Sequence, residues 1–405
     1  MNKCFIGNAN KVNLFQKTVL VRVDFNVPLA PSLENSDTLV VSNDRRIKGS
    51  LQTIKYLVEA NAKVVLCSHL GRPKGKITEL FSLEPVSRKL KELLVDSNVQ
   101  FLKDCIGQST HEAIKNLEGG QIILLENLRF HNGEEKNDPD FASQLAEGID
   151  IYVNDAFGAA HRAHASTVGV TRFVSECYVG FLMKDELQFL GEALDLPKRP
   201  LSAVIGGAKV SSKVEVLNNL MMKVDKLLIG GAMVYTFYKA MGFKVGNSLV
   251  EDSQIETAQR IMNTANSLKV ELILATDSHI IKSNRSQNDL TILAVNNEMI
   301  PDGYEAVDVG EKTIQLFSNA LENCGTIVWN GTINYHLNLY IIYIGPLGIF
   351  ESKAYSKGTD EMVKYLSTRT SAGVITVLCG GDTIAALDTC DPEEKYTFSH
   401  ISTGK

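Results

Sequence analysis

Short apolar runs alternate along the chain with stretches in which apolar residues recur at helical spacing. In the first half, buried strands are predicted for residues 19–25, 64–67, 122–125 and 151–154. In the second half, they are predicted for residues 203–205, 227–229, 272–275, 326–329 and 375–379. Between the first two runs, one helical face carries Ile47, Leu51, Ile54 and Val58. Ser82 followed by Pro85 marks the start of another helix. This alternation indicates an α/β fold, with parallel sheets covered by helices on both faces.

The strand pattern occurs twice, which predicts two doubly wound, Rossmann-like domains joined by a hinge helix. A helix predicted for residues 184–194 precedes the stiff segment Leu-Pro-Lys-Arg-Pro at 196–200. The predicted organisation is an N-terminal domain over 1–183, an interdomain helix and linker over 184–197, a C-terminal domain over 198–390 and a truncated C-terminal tail over 391–405. Ligands of such sheets bind at the carboxyl ends of the strands, so two facing halves would suit two substrates held in a cleft.

Composition and charge exclude several functional classes. The 405 residues are 44% hydrophobic and 22% charged, which is typical of folded globular domains and excludes global disorder. The net charge of −6, without a block of Lys or Arg, argues against a nucleic-acid partner. The longest apolar run, residues 339–350, is too short to span a bilayer and is interrupted by Gly345 and Pro346, so we expect no membrane partner.

The start of the chain and its cysteines indicate a cytosol-like compartment. The start, MNKCFIGNANKVNL, has neither the pattern of a secretory signal nor the Arg and Ser richness of a transit peptide. The seven cysteines are scattered and never spaced C-x-x-C, as expected for reduced thiols. We therefore expect a cytoplasmic protein, with the plastid stroma as the alternative.

Polar and basic side chains follow the predicted strands of the first half. The strand ends lead into Asp24-Phe-Asn26, Ser68-His69-Leu-Gly-Arg72, Glu126-Asn-Leu-Arg129 and Asn154-Asp155. Four arginines and three histidines fall near this edge, and we call them the basic patch: Arg46, Arg72, Arg129, Arg162, His69, His161 and His164. Because the planar guanidinium matches carboxylate and phosphate, a small phosphorylated acid is the predicted ligand. A set of surface salt bridges is the alternative.

Glycine-rich turns follow the predicted strands of the second half. They are Gly206-Gly-Ala-Lys209-Val-Ser-Ser-Lys213, Ile229-Gly-Gly231 and Cys379-Gly-Gly-Asp-Thr383. Glycine lets a phosphate approach the backbone, and a helix N-terminus offers free N–H groups, so the set favours a nucleotide site. Lys209 and Lys213 would add positive charge, and Asp382 would hold Mg²⁺. Ordinary turn chemistry is the alternative for each turn taken alone.

An anion-binding half and a nucleotide-binding half together predict phosphoryl transfer. That chemistry depends on positioning and on cations around the transferred group, and closure of the halves would exclude water. The chain contains neither G-x-x-x-x-G-K-[ST] nor G-x-G-x-x-G, so it is neither a P-loop enzyme nor a Rossmann dehydrogenase by motif. An unrelated two-domain dehydrogenase is the weaker alternative for that reason.

The longer motifs resemble those of phosphoglycerate kinases in content and order. They are VLVRVDFNVPL, RRIKGSLQTIKYL, SHLGRPKG, LLENLRFHNGEE, NDAFGAAHRAHAS, GGAKVSSK, LLIGGAMVYTF, TIVWNG, PLGIFE, CGGDTIAAL and FSHISTG. The resemblance implies a monomeric two-domain enzyme that transfers a phosphoryl group reversibly from 1,3-bisphosphoglycerate to ADP. The products would be 3-phosphoglycerate and MgATP.

The resemblance also implies roles for individual residues. The 3-phosphoglycerate site would comprise Asp24, Phe25, Asn26, Arg46, His69, Leu70, Gly71, Arg72, Arg129, His161 and Arg162, with His164 in the same patch. The nucleotide site would comprise Lys209, Lys213, Gly231, Ala306, Glu351, Gly380, Gly381, Asp382 and Thr383, with Glu351 on the ribose and Asp382 on Mg²⁺. Arg46 and Lys213 would stabilise the phosphoryl group in transfer and are the predicted catalytic residues.

Three features depart from the family pattern. Residues 332–345 separate Trp329-Asn-Gly331 from Pro346-Leu-Gly-Ile-Phe-Glu351, which the family reads without a break. We interpret this insert as an unremoved intron or a gene-model error, with a β-like flap over the nucleotide as the alternative. The chain also ends at Lys405, where the family continues into a tail, and Ala306 replaces a family glycine. A catalytically impaired, ligand-binding relative is therefore the alternative function.

Overall fold

Two six-stranded parallel sheets form the framework of the protein, one in each of the units into which the chain divides, Met1–Gln188 and Phe189–Lys405. The computed structural model describes residues 5–32, 38–283, 292–330, 346–349, 352–393 and 395–402. The predicted α/β fold class with two parallel sheets is confirmed. The predicted insert at 332–345 lies outside the described residues. Among the described residues, no helix has both the length and the apolar character needed to cross a membrane.

The first unit alternates strands and helices from its first residues to the division of the chain. Its strands are β1 (Thr18–Val23), β2 (Leu29–Pro31), β3 (Leu39–Val41), β4 (Lys63–Cys67), β5 (Val99–Phe101), β6 (Ile122–Leu124), β7 (Ile151–Asp155) and β8 (Glu176–Val179). Its helices are α1 (Lys11–Leu14), α2 (Arg45–Glu59), α3 (Glu84–Leu93), α4 (Gln108–Lys115), α5 (Asn132–Lys136), α6 (Pro139–Leu145), α7 (Phe157–Ala160) and α8 (Phe181–Asp195), the last of which contains the division. The sheet order is β5-β6-β4-β1-β7-β8, and β2 and β3 form a separate antiparallel pair.

β1 lies inside the sheet, between β4 and β7, and this position explains why its sequence is apolar at nearly every position. Successive side chains of a strand point to opposite faces of the sheet, and both faces of this sheet are covered. Val19, Val21 and Val23 accordingly lie in one buried cluster, with Val64 and Leu66 of the neighbouring strand. Leu20 lies in the second cluster, on the other face. Side chains of β1 therefore pack into the apolar clusters on both faces of the sheet.

The second unit has a parallel sheet and two smaller sheets. Its strands are β9 (Leu201–Ile205), β10 (Lys226–Ile229), β11 (Lys244–Val245), β12 (Glu271–Leu274), β13 (Asp277–Lys282), β14 (Leu293–Asn296), β15 (Met299–Ile300), β16 (Tyr304–Val309), β17 (Thr326–Asn330), β18 (Ile375–Cys379) and β19 (His400–Ile401). Its helices are α9 (Val214–Met221), α10 (Val234–Ala240), α11 (Ile255–Ser267), α12 (Glu311–Leu321), α13 (Lys357–Ser371) and α14 (Gly381–Cys390). The parallel order is β12-β10-β9-β17-β18-β19, beside an antiparallel sheet β14-β13-β16 and a pair β11-β15.

The apolar runs located nine of the twelve strands of the two parallel sheets, and β5, β8 and β19 were not predicted. Among the predicted strands, the first differs in where it ends. The predicted strand 19–25 ends at Val23 in the structure. The backbone N–H of Phe25 donates instead to Ser68 Oγ at 2.8 Å, so the chain leaves the ladder at Asp24. The antiparallel sheet β14-β13-β16 was not predicted.

Candidate functional site

Asp24 follows the last residue of β1 and is almost completely buried, with 3% of its surface exposed. Its Oδ1 accepts a hydrogen bond from the backbone N–H of Asn26 at 3.2 Å and lies 3.7 Å from Arg46 Nη1. Its Oδ2 is buried and has no hydrogen-bond partner among the described residues. A buried carboxylate oxygen without a donor is costly, so this atom suits a hydroxyl group of a ligand.

Asn26 connects β1 to the loop after β4. Its Oδ1 accepts from the backbone N–H of Gly71 at 2.9 Å, and its carbonyl accepts from Arg46 Nη1 at 2.8 Å. The carbonyl of Gly71 accepts from Arg129 Nη1 at 2.8 Å. Gly71 has a φ of +59°, where a side chain is strained, and a Cβ there would lie 2.4 Å from the ring of Phe81. Backbone carbonyls thus hold two guanidinium groups beside the same loop.

Asn127, which was not predicted as a site residue, fixes the same loop from the end of β6. It is fully buried, and its Nδ2 donates to the carbonyl of Leu70 at 2.6 Å. Its Oδ1 accepts from the backbone N–H groups of Leu70 at 3.2 Å and of Arg129 at 3.0 Å. The amide therefore sets the spacing between the Leu70 loop and the Arg129 turn.

Arg22, inside β1, is a second residue that the motif analysis did not assign. It is 1% exposed, and its Nη2 lies 3.1 Å from His69 Nδ1, while its Nη1 donates to the carbonyl of Val23. Its Nε donates to Ser166 Oγ at 2.9 Å. His69 is buried as well, and its Nδ1 lies 4.0 Å from Asp24 Oδ1. The sequence feature that could have identified Arg22 is a charged residue within the otherwise apolar run V-L-V-R-V.

The pKa values of two residues in the basic patch show that it contains both charged and neutral groups. Burial, reinforced by the charge of Arg162, lowers the pKa of His161 to about 4, so this ring is neutral at physiological pH. Arg162 Nε lies 3.3 Å from His161 Nε2 and donates to it. Burial lowers the pKa of Arg129 to about 10, and the carboxylate of Glu135, 3.2 Å from Arg129 Nε, opposes that effect. Arg129 therefore stays cationic at neutral pH.

The structure brings most of the predicted first-half residues together. Hydrogen bonds and close polar contacts connect Asp24, Asn26, Arg46, His69, Leu70, Gly71 and Arg129 into one set. Arg162 is paired with His161, and Phe25 is buried beside Asp24. Arg72 is exposed on the loop after Gly71. His164 is half-buried, with its Nδ1 3.6 Å from Glu134 Oε1.

Two glycine turns of the second unit touch each other. Gly231 has a φ of +67°, and a Cβ on it would lie 2.5 Å from the backbone nitrogen of Gly207 and 2.8 Å from its carbonyl oxygen. The Gly207 N–H donates to the carbonyl of Pro346 at 3.3 Å, and the Met233 N–H donates to the carbonyl of Gly207 at 2.9 Å. Only residues without side chains permit this approach of backbone to backbone.

The two predicted lysines differ in exposure. Lys209 lies in the exposed part of the turn after β9. Lys213 directly precedes α9 and is 3% exposed. The Ser212 hydroxyl donates to the carbonyl of Lys209 at 2.9 Å and closes the turn between them. A buried ammonium and an exposed one therefore flank a single short turn.

The third glycine turn follows β18 and leads directly into a helix. Gly380 has a φ of +92° and immediately precedes α14, which begins at Gly381. Thr383 is fully buried in the first turn of this helix. The side chain of Asp382 lies outside what the structure describes, as does Glu351. The free N–H groups of a helix start suit a phosphate group.

Ala306 lies in β16, in the antiparallel sheet rather than in the parallel one. Its backbone N–H donates to Ser248 Oγ at 3.2 Å. The next residue, Val307, accepts from the N–H of Ile349 at 3.0 Å. The segment 346–349 thus contacts β16 at one end and the Gly207 turn at the other.

These observations first define a class. The protein is an α/β protein with arginine side chains gathered near one edge of its first parallel sheet and glycine turns at strand ends of its second. The family model described as phosphoglycerate kinase matches residues 9–336 and 337–405. The chain belongs to the phosphoglycerate kinase family, and the prediction that it is a phosphotransferase is confirmed.

Individual relatives support the same assignment. A phosphoglycerate kinase of Picosynechococcus is 46% identical over 404 residues, which cover 100% of this chain and 94% of the relative. A cytosolic phosphoglycerate kinase of Triticum aestivum is 45% identical, over 98% of this chain and 93% of the relative. The solved phosphoglycerate kinase structure from Coxiella burnetii has a TM-score of 0.77 and 36% identity, and the match covers 98% of this chain and 92% of that one.

Proposed function

We propose that this chain transfers a phosphoryl group reversibly from the acyl phosphate of 1,3-bisphosphoglycerate to ADP. The observation that carries the proposal is the bonded set around Asp24 and Arg46. Arg46 of α2 lies 3.7 Å from a buried carboxylate whose other oxygen has no partner among the described residues, and Arg129 is bonded to the neighbouring Gly71 loop. A small molecule with both negative charge and a hydroxyl group matches that set. Family membership supports the same reaction.

In the first unit, the proposed ligand is the glycerate substrate. Arg46, Arg129 and Arg162 would bind its carboxylate and phosphate groups, and Asp24 Oδ2 would accept a hydrogen bond from its hydroxyl group. His161, being neutral, would donate or accept a hydrogen bond rather than add charge. Arg46 lies in the first turn of α2, where it would also stabilise the charge on the phosphoryl group in transfer.

In the second unit, the proposed ligand is the nucleotide. The close approach of Gly207 and Gly231 and the helix start after Gly380 would receive its phosphates. Lys213 would stabilise the transferred group, and Lys209 would add charge at the rim of the turn. In this proposal Gly381 and Thr383 also line the phosphate turn, Ala306 contacts the base through its backbone, and Glu351 holds the ribose.

Mg²⁺ is the proposed metal of the nucleotide site. Its preferred ligands are hard oxygen atoms, and residue Asp382 belongs to the first turn of α14, directly after the glycine turn. When bound, Mg²⁺ neutralises phosphate charge. A different set, Asp104, Cys105 and His131, lies within metal-binding distance in the first unit. Its thiol donates to the carbonyl of Glu126 at 3.1 Å and burial raises the pKa of Cys105, so it does not suit Mg²⁺.

The remaining sequence predictions belong to the same proposal. We propose a monomer with boundaries after residues 183, 197 and 390, in which α8 connects the two domains. The cytoplasm is the proposed location, and the plastid stroma is the alternative, because cytosolic and chloroplastic relatives both match the chain.

A coupled assay with this polypeptide tests the function. ATP formed from ADP and 1,3-bisphosphoglycerate is followed through hexokinase and glucose-6-phosphate dehydrogenase, with circular dichroism as the control for folding. We expect turnover that depends on added Mg²⁺. A folded protein that binds 3-phosphoglycerate but forms no ATP would contradict the proposal.

A further inference from the structure

A buried carboxylate, Glu134, lies behind the basic patch and was not among the predicted site residues. It belongs to the short helix α5 and is fully buried. Its Oε1 accepts from Ser166 Oγ at 2.7 Å, and its Oε2 accepts from the Ser166 N–H at 2.9 Å. Its carbonyl accepts from the Ala165 N–H at 2.9 Å. Three hydrogen bonds therefore tie α5 to the segment that follows His161, Arg162 and His164.

Ser166 connects Glu134 to β1 through a hydrogen bond with Arg22. The hydroxyl that donates to Glu134 accepts, in turn, from Arg22 Nε at 2.9 Å. Arg22 Nη2 lies 3.1 Å from His69 Nδ1. The carbonyl of Ser166 accepts from the Tyr152 hydroxyl at 2.7 Å, so the backbone of the serine is held as well. A continuous buried chain thus runs from Glu134 through Ser166 and Arg22 to His69.

The charge of Glu134 faces the cations of the patch. Burial by itself raises the pKa of this carboxyl, but the His164 imidazole, whose Nδ1 lies 3.6 Å from Oε1, the charge of Arg22 and the hydrogen bond from Ser166 together bring it below its usual range. Glu134 is therefore ionised in a site without water contact. A buried charge is tolerated only with paired cations or donors, and here these are His164 and Arg22.

The position of this charge matters because the patch concentrates like charges. Arg22 and Arg162 both act unfavourably on the cationic form of Arg129. A fixed negative charge behind them offsets part of that repulsion and leaves the ligand-facing side free. Neutralising Glu134 would remove this compensation and loosen both the segment after His161 and the side chain of Arg22.

We propose that Glu134 is a positioning residue for the 3-phosphoglycerate site, acting through Ser166 on Arg22 and His69 and directly on the segment that carries His161, Arg162 and His164. This inference rests on the proposed function, since it assigns the patch to the glycerate substrate. Glu134 itself contacts no substrate. Its effect should therefore appear in the affinity for 3-phosphoglycerate and not in the affinity for nucleotide.

The test compares Glu134→Gln, Ser166→Ala and the double variant with the wild type in the full chain. Calorimetric titration gives the Kd for 3-phosphoglycerate and for MgADP, and steady-state assays give the KM for each substrate. Each single variant should raise the Kd and KM for 3-phosphoglycerate by roughly tenfold, with nucleotide values within about twofold. Because both act through one chain of bonds, the double variant should fall short of the product of the single effects.

Leu145→Ala is the matched control for a purely structural effect. Leu145 is buried in α6 of the same unit and belongs to its apolar core, so its truncation leaves a cavity but removes no polar contact of the patch. It should lower the thermal midpoint without changing the Kd for 3-phosphoglycerate. If Glu134→Gln behaves in the same way, Glu134 is only structural and the inference is overturned.

Two further outcomes are decisive. If Glu134→Gln does not fold, Ser166→Ala alone decides the inference, and an unchanged Kd for 3-phosphoglycerate in that variant overturns it. If the wild type itself binds no 3-phosphoglycerate, the proposed function fails first, and this inference fails with it.

Discussion

Replacing Gly231 by alanine would test the proposed nucleotide site with a single methyl group. The added Cβ would lie 2.5 Å from the backbone nitrogen of Gly207, whereas real Cβ atoms essentially never approach another atom closer than 3.0 Å. The neighbouring atoms are backbone, so no flexible side chain can move away. The turn after β9 must therefore shift in the variant, and with it the surface proposed to receive the nucleotide phosphates.

Two separate costs arise from this substitution. The φ of +67° places an alanine in the left-handed region, which costs roughly 1–2 kcal/mol. The displacement of the Gly207 turn is the second cost. Gly242→Ala is the matched control, because Gly242 has a φ of +90° and a Cβ there would meet nothing within 4 Å. The control carries the backbone strain alone, so the difference between the two variants isolates the collision.

The assay is calorimetric titration of both variants with MgADP and, separately, with 3-phosphoglycerate. A displacement that weakens phosphate binding by about 1.4 kcal/mol raises the Kd tenfold. We expect Gly231→Ala to raise the Kd for MgADP by about this factor or more relative to Gly242→Ala. The Kd for 3-phosphoglycerate, whose proposed residues are all in the first unit, should be equal in the two variants. Equal MgADP affinity in both would refute the assignment of Gly231 to the nucleotide site.

Three further predictions concern the first unit. Arg46→Ala should lower kcat by roughly 10²–10³ with little change in the thermal midpoint, because the group acts on transition-state charge; a change in KM alone would contradict this role. Asp24→Ala should weaken the binding of 3-phosphoglycerate by roughly tenfold but not that of inorganic phosphate, which has no carbon-bound hydroxyl. Equal losses of affinity for the two ligands in calorimetric titration would contradict this role. Burial raises the pKa of Asp155 to about 7 from 3.8, so its contribution to stability is present at low pH and is lost as the pH rises through 7. As the pH rises from 4 to 8, the free energy of unfolding of Asp155→Asn, measured with urea, should therefore increase by up to about 4 kcal/mol relative to that of the wild type. A difference between the two proteins that does not change with pH would refute the assignment.

The parallel sheets could be predicted from the sequence because their strands are buried on both faces. Such strands are continuous apolar runs, and residues 375–379 form a strand with the bounds that the pattern indicates. The antiparallel sheet escaped prediction because its strand Leu293–Asn296 is largely exposed, and because polar residues interrupt the apolar ones in Asp277–Lys282 and Tyr304–Val309. The short strand Val99–Phe101 escaped because Gln100 separates its two apolar residues, so it forms no continuous apolar run.

The residues of the candidate site also differ in whether the sequence alone could identify them. Asp24 and Gly231 follow strand ends of the parallel sheets and Arg46 lies in the first turn of α2, so the sequence alone could name them as candidates. Arg22 and Glu134 gain their roles only from contacts that folding creates. Arg22 and Ser166, which share a hydrogen bond, are 144 positions apart. Sequence by itself determined which chemistry is present and at which strand ends. Only the tertiary structure decided which buried charges compensate one another, because burial and distance exist only after the chain has packed.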